Sequence, residues 1–257
     1  MKYVSKQPDS NGFIAFTEEE NQTWKILFER QIKVIEGRAC DDFLIGLKKL
    51  DFPKDRVPQC AEVTAVLNAC TGWSVVPVAA MIPLEEFYRL LANKQFPAAS
   101  FIRLREDLDY LQEPDIFHEY FGHCPLLTNP AYADFVHWYG NIALSTNRKV
   151  QSILGRLFWF TIEFGLMQTS QGMRIYGGGI LSSFGETIYA LENKVPKRKK
   201  FDLIEVLNQP YRYDIMQDRY YFIENIEELF AIRKNEIVIM AERIANGTFD
   251  GNDFVIC

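Results

Sequence analysis

Two of the three histidines in this chain, His118 and His123, lie five residues apart in the segment PDIFHEYFGHCP (114–125). Histidines four residues apart on one helical face would form the HExxH pair of metallopeptidases, but Gly122 occupies that fourth position. On a regular α-helix, side chains five residues apart diverge by about 140°. The two histidines would therefore converge only if the helix ended between them. Gly122 and Pro125 are typical of such an end.

Two histidines leave a metal ion under-coordinated, so we expect a third ligand, most simply a carboxylate. Glu163 stands alone among apolar and aromatic residues in the segment LFWFTIEFGL (157–166). A carboxylate in such surroundings is unfavourable unless it is paired or bound to a metal. The alternative is a glutamate on an exposed helix face. Two histidines and one carboxylate are the ferrous ligand set that leaves coordination positions open.

The remaining histidine and a glycine-rich segment give weaker indications of a functional site. His137 has no candidate partner nearby, and we expect it to be a surface histidine or a hydrogen-bonded core histidine. The segment IYGGGILSSFGE (175–186) contains three consecutive glycines. These could let the backbone approach a ligand closely, or they could form a turn-rich hairpin. Composition leaves both interpretations open.

Composition indicates one soluble globular domain. The chain has 257 residues, of which 48% are hydrophobic and 24% charged, and no apolar run approaches the roughly 18 residues of a membrane helix. The polar N-terminus lacks the apolar core of a secretory signal, so we expect a cytoplasmic location and no membrane association. Five cysteines without a CxxC pair indicate reduced thiols and argue against cysteine-bound zinc.

Charge argues against a nucleic-acid partner. The formal net charge is -6, which would repel phosphate backbones. The one basic cluster, KVPKRKK (194–200), is short. We interpret it as a solvated loop.

Periodicity predicts a mostly α-helical fold with small β elements. A capping box at Thr17 and Glu20 opens an amphipathic helix that stops near Gly37. Further helices are predicted at 41–50, 58–70, 83–93, 115–123, 130–144, 149–169 and 224–246, and strands at 101–104, 174–180 and 220–223.

Three segments together, PDIFHEYFGH, FWFTIEFG and YGGGILSSFGE, resemble the signature blocks of the pterin-dependent aromatic amino acid hydroxylases. The resemblance runs from about Leu67 to Glu192 and continues more weakly to the C-terminal helix. It implies a single catalytic domain over residues 1–257, without the family's N-terminal regulatory domain or C-terminal tetramerisation helix. This is the compact form of the bacterial members.

The resemblance implies a role for each matching residue. His118, His123 and Glu163 would bind Fe(II), and Glu119 would lie near the pterin and take part in catalysis. The pterin ring would stack on Phe87, with backbone contacts near Ala80 and Ile82. Arg103 would bind the substrate carboxylate, with Asp115 orienting it and Ser182 adding a hydroxyl, and the substrate ring would lie against Pro114, Phe117 and Trp159. Leu111 departs from the pattern, because animal members carry a substrate-binding threonine there.

The activity implied is hydroxylation of L-phenylalanine to L-tyrosine with dioxygen and a tetrahydropterin, either tetrahydrobiopterin or a bacterial analogue. Tyrosine or tryptophan hydroxylation are alternatives, although tryptophan hydroxylases usually carry phenylalanine at the position of Trp159. Alternatives of another class are a zinc hydrolase and a non-catalytic protein that binds metal and amino acids. We expect a monomer or a small homo-oligomer.

Overall fold

The computed structural model describes residues 3–79, 82–109, 113–229 and 234–248. Most of these residues are helical, as predicted. The α-helices, α1 to α11 in chain order, are Glu18–Ile35, Asp41–Leu50, Cys60–Thr71, Leu84–Ala92, Cys124–Leu127, Pro130–Leu144, Arg148–Phe158, Gly178–Leu181, Phe184–Glu192, Leu203–Asn208 and Lys234–Ala245. Two π-helical segments, His118–His123 and Trp159–Glu163, and two 3₁₀ turns, Arg105–Asp107 and Ile226–Leu229, complete the helical structure.

The helix boundaries follow local sequence signals. Thr17 and Glu20 form the predicted capping box, in which each side chain accepts a hydrogen bond from the other's backbone N–H. After α1, Gly37 adopts a φ of 68°, which a residue with a Cβ would adopt only under strain. The predictions for 41–50 and 130–144 coincide with α2 and α6. The prediction for 224–246 covers a 3₁₀ turn and α11, with 230–233 outside the described residues.

The β-structure consists of two small sheets. Strands β1 (Ser74–Val78) and β2 (Gln95–Ala99) pair in parallel. Strands β3 (Gly165–Thr169), β4 (Gly172–Ile175), β5 (Lys197–Lys200) and β6 (Arg219–Ile223) form a second sheet in the order β4-β3-β6-β5. Only β6 was predicted with nearly correct bounds.

Two predicted elements have different ends in the structure. The helix predicted at 149–169 becomes strand β3 from Gly165, where a Cβ would lie 2.1 Å from the Tyr176 ring. The strand predicted at 174–180 stops at Ile175 because the N–H groups of Tyr176 and Gly177 both donate to the Gly165 carbonyl. The chain then enters α8. In both places tertiary pairing overrides local periodicity.

Two other predictions were wrong about strand pairing. Residues 101–104 form no strand, since the N–H of Arg103 donates to the Asp115 carboxylate instead of a neighbouring strand. The basic cluster contains β5, which pairs in parallel with β6, although its lysines remain solvated as expected.

A single large core binds these elements together. Trp24 of α1 packs edge-on against Phe52 and Phe117, and Phe117 stacks on Phe121 of the first π-helical segment at 5.0 Å. Such pairs stabilise the fold beyond their area burial. Within the described residues, no helix has the length and apolar character needed to cross a bilayer. The cysteines Cys40, Cys60, Cys70 and Cys124 are free thiols, as expected.

Candidate active site

The two histidines converge through a widened helix and not through a helix end. Residues 116–127 are continuously helical, and the turn at His118–His123 is π-helical. The N–H of Cys124 donates to the carbonyl of Glu119, five residues earlier. In this geometry residues five apart lie one turn above one another. The Nε2 atoms of His118 and His123 are 3.1 Å apart, so the predicted helix end between them was wrong while their convergence was correct.

Proline helps to explain why the helix widens here. Pro125 has no N–H to donate to the carbonyl of Phe121, which a regular α-helix would require. The segment therefore loses few backbone hydrogen bonds when its N–H groups donate to the fifth preceding residue instead of the fourth. Gly122 is also needed, because a Cβ there would lie 2.5 Å from the carbonyl oxygen of Gly178.

A second π-helical segment brings Glu163 to the same point. The N–H of Phe164 donates to the carbonyl of Trp159 at 2.8 Å, again across five residues. Glu163 Oε1 lies 3.3 Å from His123 Nε2, and its Oε2 lies 3.7 Å from His118 Nε2. The ligand atoms of the three residues all lie within 4.8 Å of one another. This donor set fits one divalent metal ion.

The protonation states suit metal binding. Burial lowers the pKa of His118 to about 4, so its imidazole is neutral near pH 7. Burial alone would raise the pKa of Glu163, but His123 and His118 hold it below its ordinary value. Neutral imidazoles and an ionised carboxylate are the forms that coordinate a metal ion.

The three glycines pack against the metal-ligand residues. A Cβ on Gly178 would lie 2.5 Å from His123 Nδ1, and one on Gly179 would lie 2.8 Å from Glu163 Oε2. At Gly177 a Cβ would lie 2.4 Å from the Glu163 carbonyl oxygen. The segment forms the end of β4 and the short helix α8 and not a hairpin, and its glycine backbone lies against the metal-ligand side chains, while its approach to a bound ligand stays a prediction. Larger residues would displace those side chains.

Ser182, at the end of α8, orients one of the histidines. Its Oγ lies 2.9 Å from His118 Nδ1, and the side chain is buried. A hydrogen bond at Nδ1 fixes the tautomer of the ring and leaves Nε2 free for a metal. Ser182 also lines the adjoining cavity, where the sequence predicted a substrate contact.

A buried ion pair lies beside the histidines. Arg103 Nε and Nη2 each donate to Asp115 at 2.8 Å, and the N–H groups of Arg103 and His118 donate to the same carboxylate at 2.9 and 3.0 Å. Burial would raise the pKa of Asp115, but Arg103 outweighs burial and keeps it low. Asp115 thus holds Arg103 in place and ties it to the first metal-ligand residue.

A cavity of about 530 Å³ opens from this centre. Of the residues predicted to hold the metal or the substrate, six line it: Arg103, Pro114, His118, Trp159, Glu163 and Ser182. Phe117, which was also predicted to lie against the substrate ring, does not line this cavity. It is fully buried between Trp24 and Phe121, and its ring lies 5.8 Å from the Arg103 guanidinium.

Comparisons with known proteins agree with this site. Residues 2–245 match the family model described as biopterin-dependent aromatic amino acid hydroxylase. The chain belongs to this family.

Its relatives support the assignment along most of the chain. The phenylalanine-4-hydroxylase of Pseudomonas aeruginosa is 52% identical over 239 residues, which are 93% of this chain and 91% of that protein. The apo structure of the cold-active phenylalanine hydroxylase from Colwellia psychrerythraea 34H has 50% identity and a TM-score of 0.93, covering 97% of each chain. A Chromobacterium violaceum phenylalanine hydroxylase structure with bound Fe(III) has 40% identity and a TM-score of 0.88, covering 97% of this chain and 94% of that one.

Family membership adds iron and a pterin as cofactors, and the residues of the metal centre fit the iron. The donor set and the glycine contacts of the metal centre match an iron site with open positions. Phe87 is half-buried on α4 with its ring edge against Phe158 at 5.4 Å. Phe87 does not line the cavity beside the metal-ligand residues, so its stacking on a pterin stays a prediction.

The other predicted pterin residues occupy different surroundings. Burial raises the pKa of Glu119 well above its ordinary value, and Glu163 and Asp115 raise it further. Ile82 lines a separate cavity of about 310 Å³ together with Val78. Ala80 and Leu111 lie outside the described residues. His137, as expected, is a satisfied histidine, with Nε2 3.1 Å from the Ala92 carbonyl oxygen.

The far side of the cavity was not predicted from the sequence. Residues 211–217, here called the outer wall, contribute Tyr213 to Gln217 to its lining. Glu186 and Phe164 also line the cavity and were not predicted. The outer wall follows no regular periodicity, and its aromatic and polar residues resemble an ordinary loop. Two contacts connect it with a predicted residue: Tyr211 stacks on Trp159 at 4.3 Å, and Gln217 Oε1 accepts a hydrogen bond from Trp159 Nε1 at 3.0 Å.

Proposed function

We propose that this protein is a phenylalanine 4-monooxygenase, which converts L-phenylalanine to L-tyrosine with dioxygen and a tetrahydropterin. The observation that carries the proposal is the convergence of His118, His123 and Glu163 at the end of a cavity that also presents Arg103. Relatives of 41–52% identity named phenylalanine-4-hydroxylase support this substrate.

In this proposal the protein's task is to hold its cofactors and substrate. His118, His123 and Glu163 would bind Fe(II). Together with the tetrahydropterin, Fe(II) supplies the activation of dioxygen. Phe87 would stack on the pterin, backbone groups near Ala80 and Ile82 would hold its edge, and Glu119 would lie beside it as a catalytic carboxyl group.

The amino acid would be oriented at both ends. Arg103 offers a guanidinium fixed by Asp115, which suits a carboxylate better than a mobile lysine would. Ser182 would add a hydroxyl to the same carboxylate. Trp159 and Pro114 line the cavity as apolar walls for the ring, and Phe164 joins them. Phe117 would act only by packing beneath Arg103.

The proposal also covers the domain organisation, partners and location of the protein. We propose a single catalytic domain, supported by one family match over residues 2–245. The acidic charge supports a protein without nucleic-acid partners, and the sequence features support a cytoplasmic monomer or small homo-oligomer without membrane association.

The test is a single-turnover reaction. The protein is loaded with Fe(II) without oxygen, mixed with phenylalanine and a tetrahydropterin, and exposed to oxygen while tyrosine is quantified. We expect stoichiometric tyrosine, lost in His118→Ala and in Glu163→Ala but retained in the control His137→Ala. If the protein hydroxylates tyrosine or tryptophan in preference to phenylalanine, it is a tyrosine or tryptophan hydroxylase of the same family. If neither oxygen nor pterin is consumed by the iron-loaded protein, the monooxygenase proposal is wrong.

A further inference from the structure

Gln217 is a buried glutamine whose amide group is fully engaged at the edge of the cavity. Its side chain is 5% exposed. Oε1 accepts a hydrogen bond from Trp159 Nε1 at 3.0 Å, while Nε2 donates to the carbonyls of Arg212 and Ile215 at 2.8 and 3.1 Å. The indole can only donate and the carbonyls can only accept, so these contacts require one acceptor and one donor on the same short side chain.

The backbone of Gln217 is anchored as well. Its N–H donates to Glu186 Oε1 at 3.2 Å, and the same oxygen accepts a hydrogen bond from the Tyr220 hydroxyl. Glu186 belongs to α9 and Tyr220 to β6, so Gln217 rests on two regular elements. The amide therefore reaches Trp159 from a fixed position.

Trp159 is held from three directions. Its ring lies 4.5 Å from that of Phe164 on one side and is stacked on Tyr211 at 4.3 Å and 13° on another. Stacking lets rings slide over one another, whereas the hydrogen bond from Gln217 fixes the in-plane orientation of the indole. Trp159 also begins the π-helical segment that ends at Glu163.

We propose that Gln217 is a positioning residue for the substrate: it holds Trp159 and the outer wall at the separation that admits the ring of phenylalanine. It acts without contacting the metal-ligand residues, because its bonds go to Trp159, the outer wall and Glu186. The identity of the ligand rests on the proposed function. The positioning itself rests on the contacts described above.

The first experiment measures phenylalanine affinity by calorimetry, without oxygen, on the Fe(II)-loaded and the metal-free protein. Gln217→Met has a side chain of similar size but lacks the oxygen that accepts from Trp159 and the N–H groups that donate to the two carbonyls. Gln217→Glu keeps an oxygen that can accept from Trp159 but places its second oxygen against the two carbonyl oxygens. We expect Kd for phenylalanine to rise about tenfold in each variant, with iron affinity unchanged. In turnover, KM should rise by a similar factor while kcat changes little.

Gln151→Met is the matched control. Gln151 is also buried, and its Nε2 donates to the carbonyls of Ala143 and Thr146 at 3.1 and 3.2 Å, but it does not line the cavity. We expect this variant to lose thermal stability as Gln217→Met does while keeping the wild-type Kd. Equal Kd values for Gln217→Met, Gln151→Met and the wild type would reduce Gln217 to a structural role and overturn the inference.

A double-mutant cycle tests whether the effect passes through Trp159. In a Trp159→Phe background the indole donor is gone, so adding Gln217→Met should raise Kd by less than about twofold. A full additional tenfold loss would contradict positioning through Trp159. A wild type that binds phenylalanine but forms no tyrosine would overturn the proposed function alone, since Kd still reports on positioning. A wild type that binds no phenylalanine would overturn both.

Discussion

The two ends of the cavity are built in different ways. At the inner end, formed by residues 118–123, 163 and 177–182, backbone lies directly against the metal-ligand side chains and glycines provide the only possible fit. At the outer wall, Tyr213 is 64% exposed, and Ile215 and Met216 are about half exposed. One buried glutamine ties that wall to Trp159. The inner end tolerates almost no change of volume, while the outer wall has open space beside it.

This difference separates two tasks. The inner end must keep three ligand atoms together before a cation is bound, and tight packing fixes their positions there. The outer wall must only fit the ring of an amino acid. Because the two regions are joined mainly through Trp159, changes in the outer wall should alter substrate preference while leaving the metal centre intact.

The largest effect is expected on the stability of the fold, in a comparison of two arginine–aspartate pairs that border the same cavity. Asp115→Asn replaces a buried carboxylate that accepts four N–H groups and leaves Arg103 as a buried unpaired charge. We expect a loss of about 3–5 kcal/mol in the free energy of unfolding, measured by denaturant titration. Asp214→Asn breaks the exposed pair with Arg212 on the outer wall and should leave stability unchanged. Equal losses of stability in Asp115→Asn and Asp214→Asn would contradict the difference between the two ends of the cavity.

The next contrast concerns two glycines. Gly178→Ala would place a Cβ 2.5 Å from His123 Nδ1 and force the ring away, whereas Gly185→Ala would meet only the flexible end of Met216, at 3.0 Å. We expect Fe(II) affinity to fall about 100-fold in Gly178→Ala, because displacing the His123 ring moves one of the ligand atoms, and to stay at the wild-type value in Gly185→Ala. Competition with a chelator gives both values. Wild-type affinity in Gly178→Ala would show that the inner end can relax.

Adjacent serines sharpen the comparison further. Ser182→Ala removes the hydroxyl that holds His118 Nδ1, and we expect about a tenfold loss of Fe(II) affinity. Ser183 instead caps α9 by accepting from the N–H of Glu186 at 3.3 Å. Ser183→Ala should therefore cost about 1 kcal/mol of stability and leave iron affinity unchanged. If Ser183→Ala weakened iron binding equally, orientation of His118 would not explain the effect of Ser182.

The sequence predicted the inner end well because its chemistry is concentrated in a few residue types. The histidine spacing, the isolated Glu163 and the glycine run were all visible, and the family resemblance assigned Arg103 and Asp115. The way in which the histidines meet was predicted wrongly. A π-helical turn depends on hydrogen bonds to the fifth residue, and neither Gly122 nor Pro125 distinguishes such a turn from a helix end.

The errors elsewhere have a shared physical origin. The helical prediction for β3 and the loop prediction for β5 both missed their pairing with β6, which comes later in the chain, and the first also missed the hairpin of β3 with β4. Phe117 was assigned to the substrate by the family resemblance, whereas in the structure its ring is buried in the core and does not line the cavity. The outer wall was missed because Gln217 acquires its role only when Trp159 is folded against it.

The smallest expected effect lies at the outer wall and tests its share in substrate binding. Tyr211→Leu removes the ring stacked on Trp159, a contact worth about 0.5–1.5 kcal/mol, so Kd for phenylalanine should rise roughly two- to tenfold. Tyr213→Leu changes an exposed ring on the same wall and should have a smaller effect. Neither change should alter Fe(II) affinity, because both residues lie at the opposite end from the ligands. Calorimetric titration of each variant with phenylalanine and with Fe(II) measures both affinities. A loss of Fe(II) affinity in Tyr211→Leu that parallels the loss of phenylalanine affinity would mean that Trp159 transmits changes from the outer wall to Glu163.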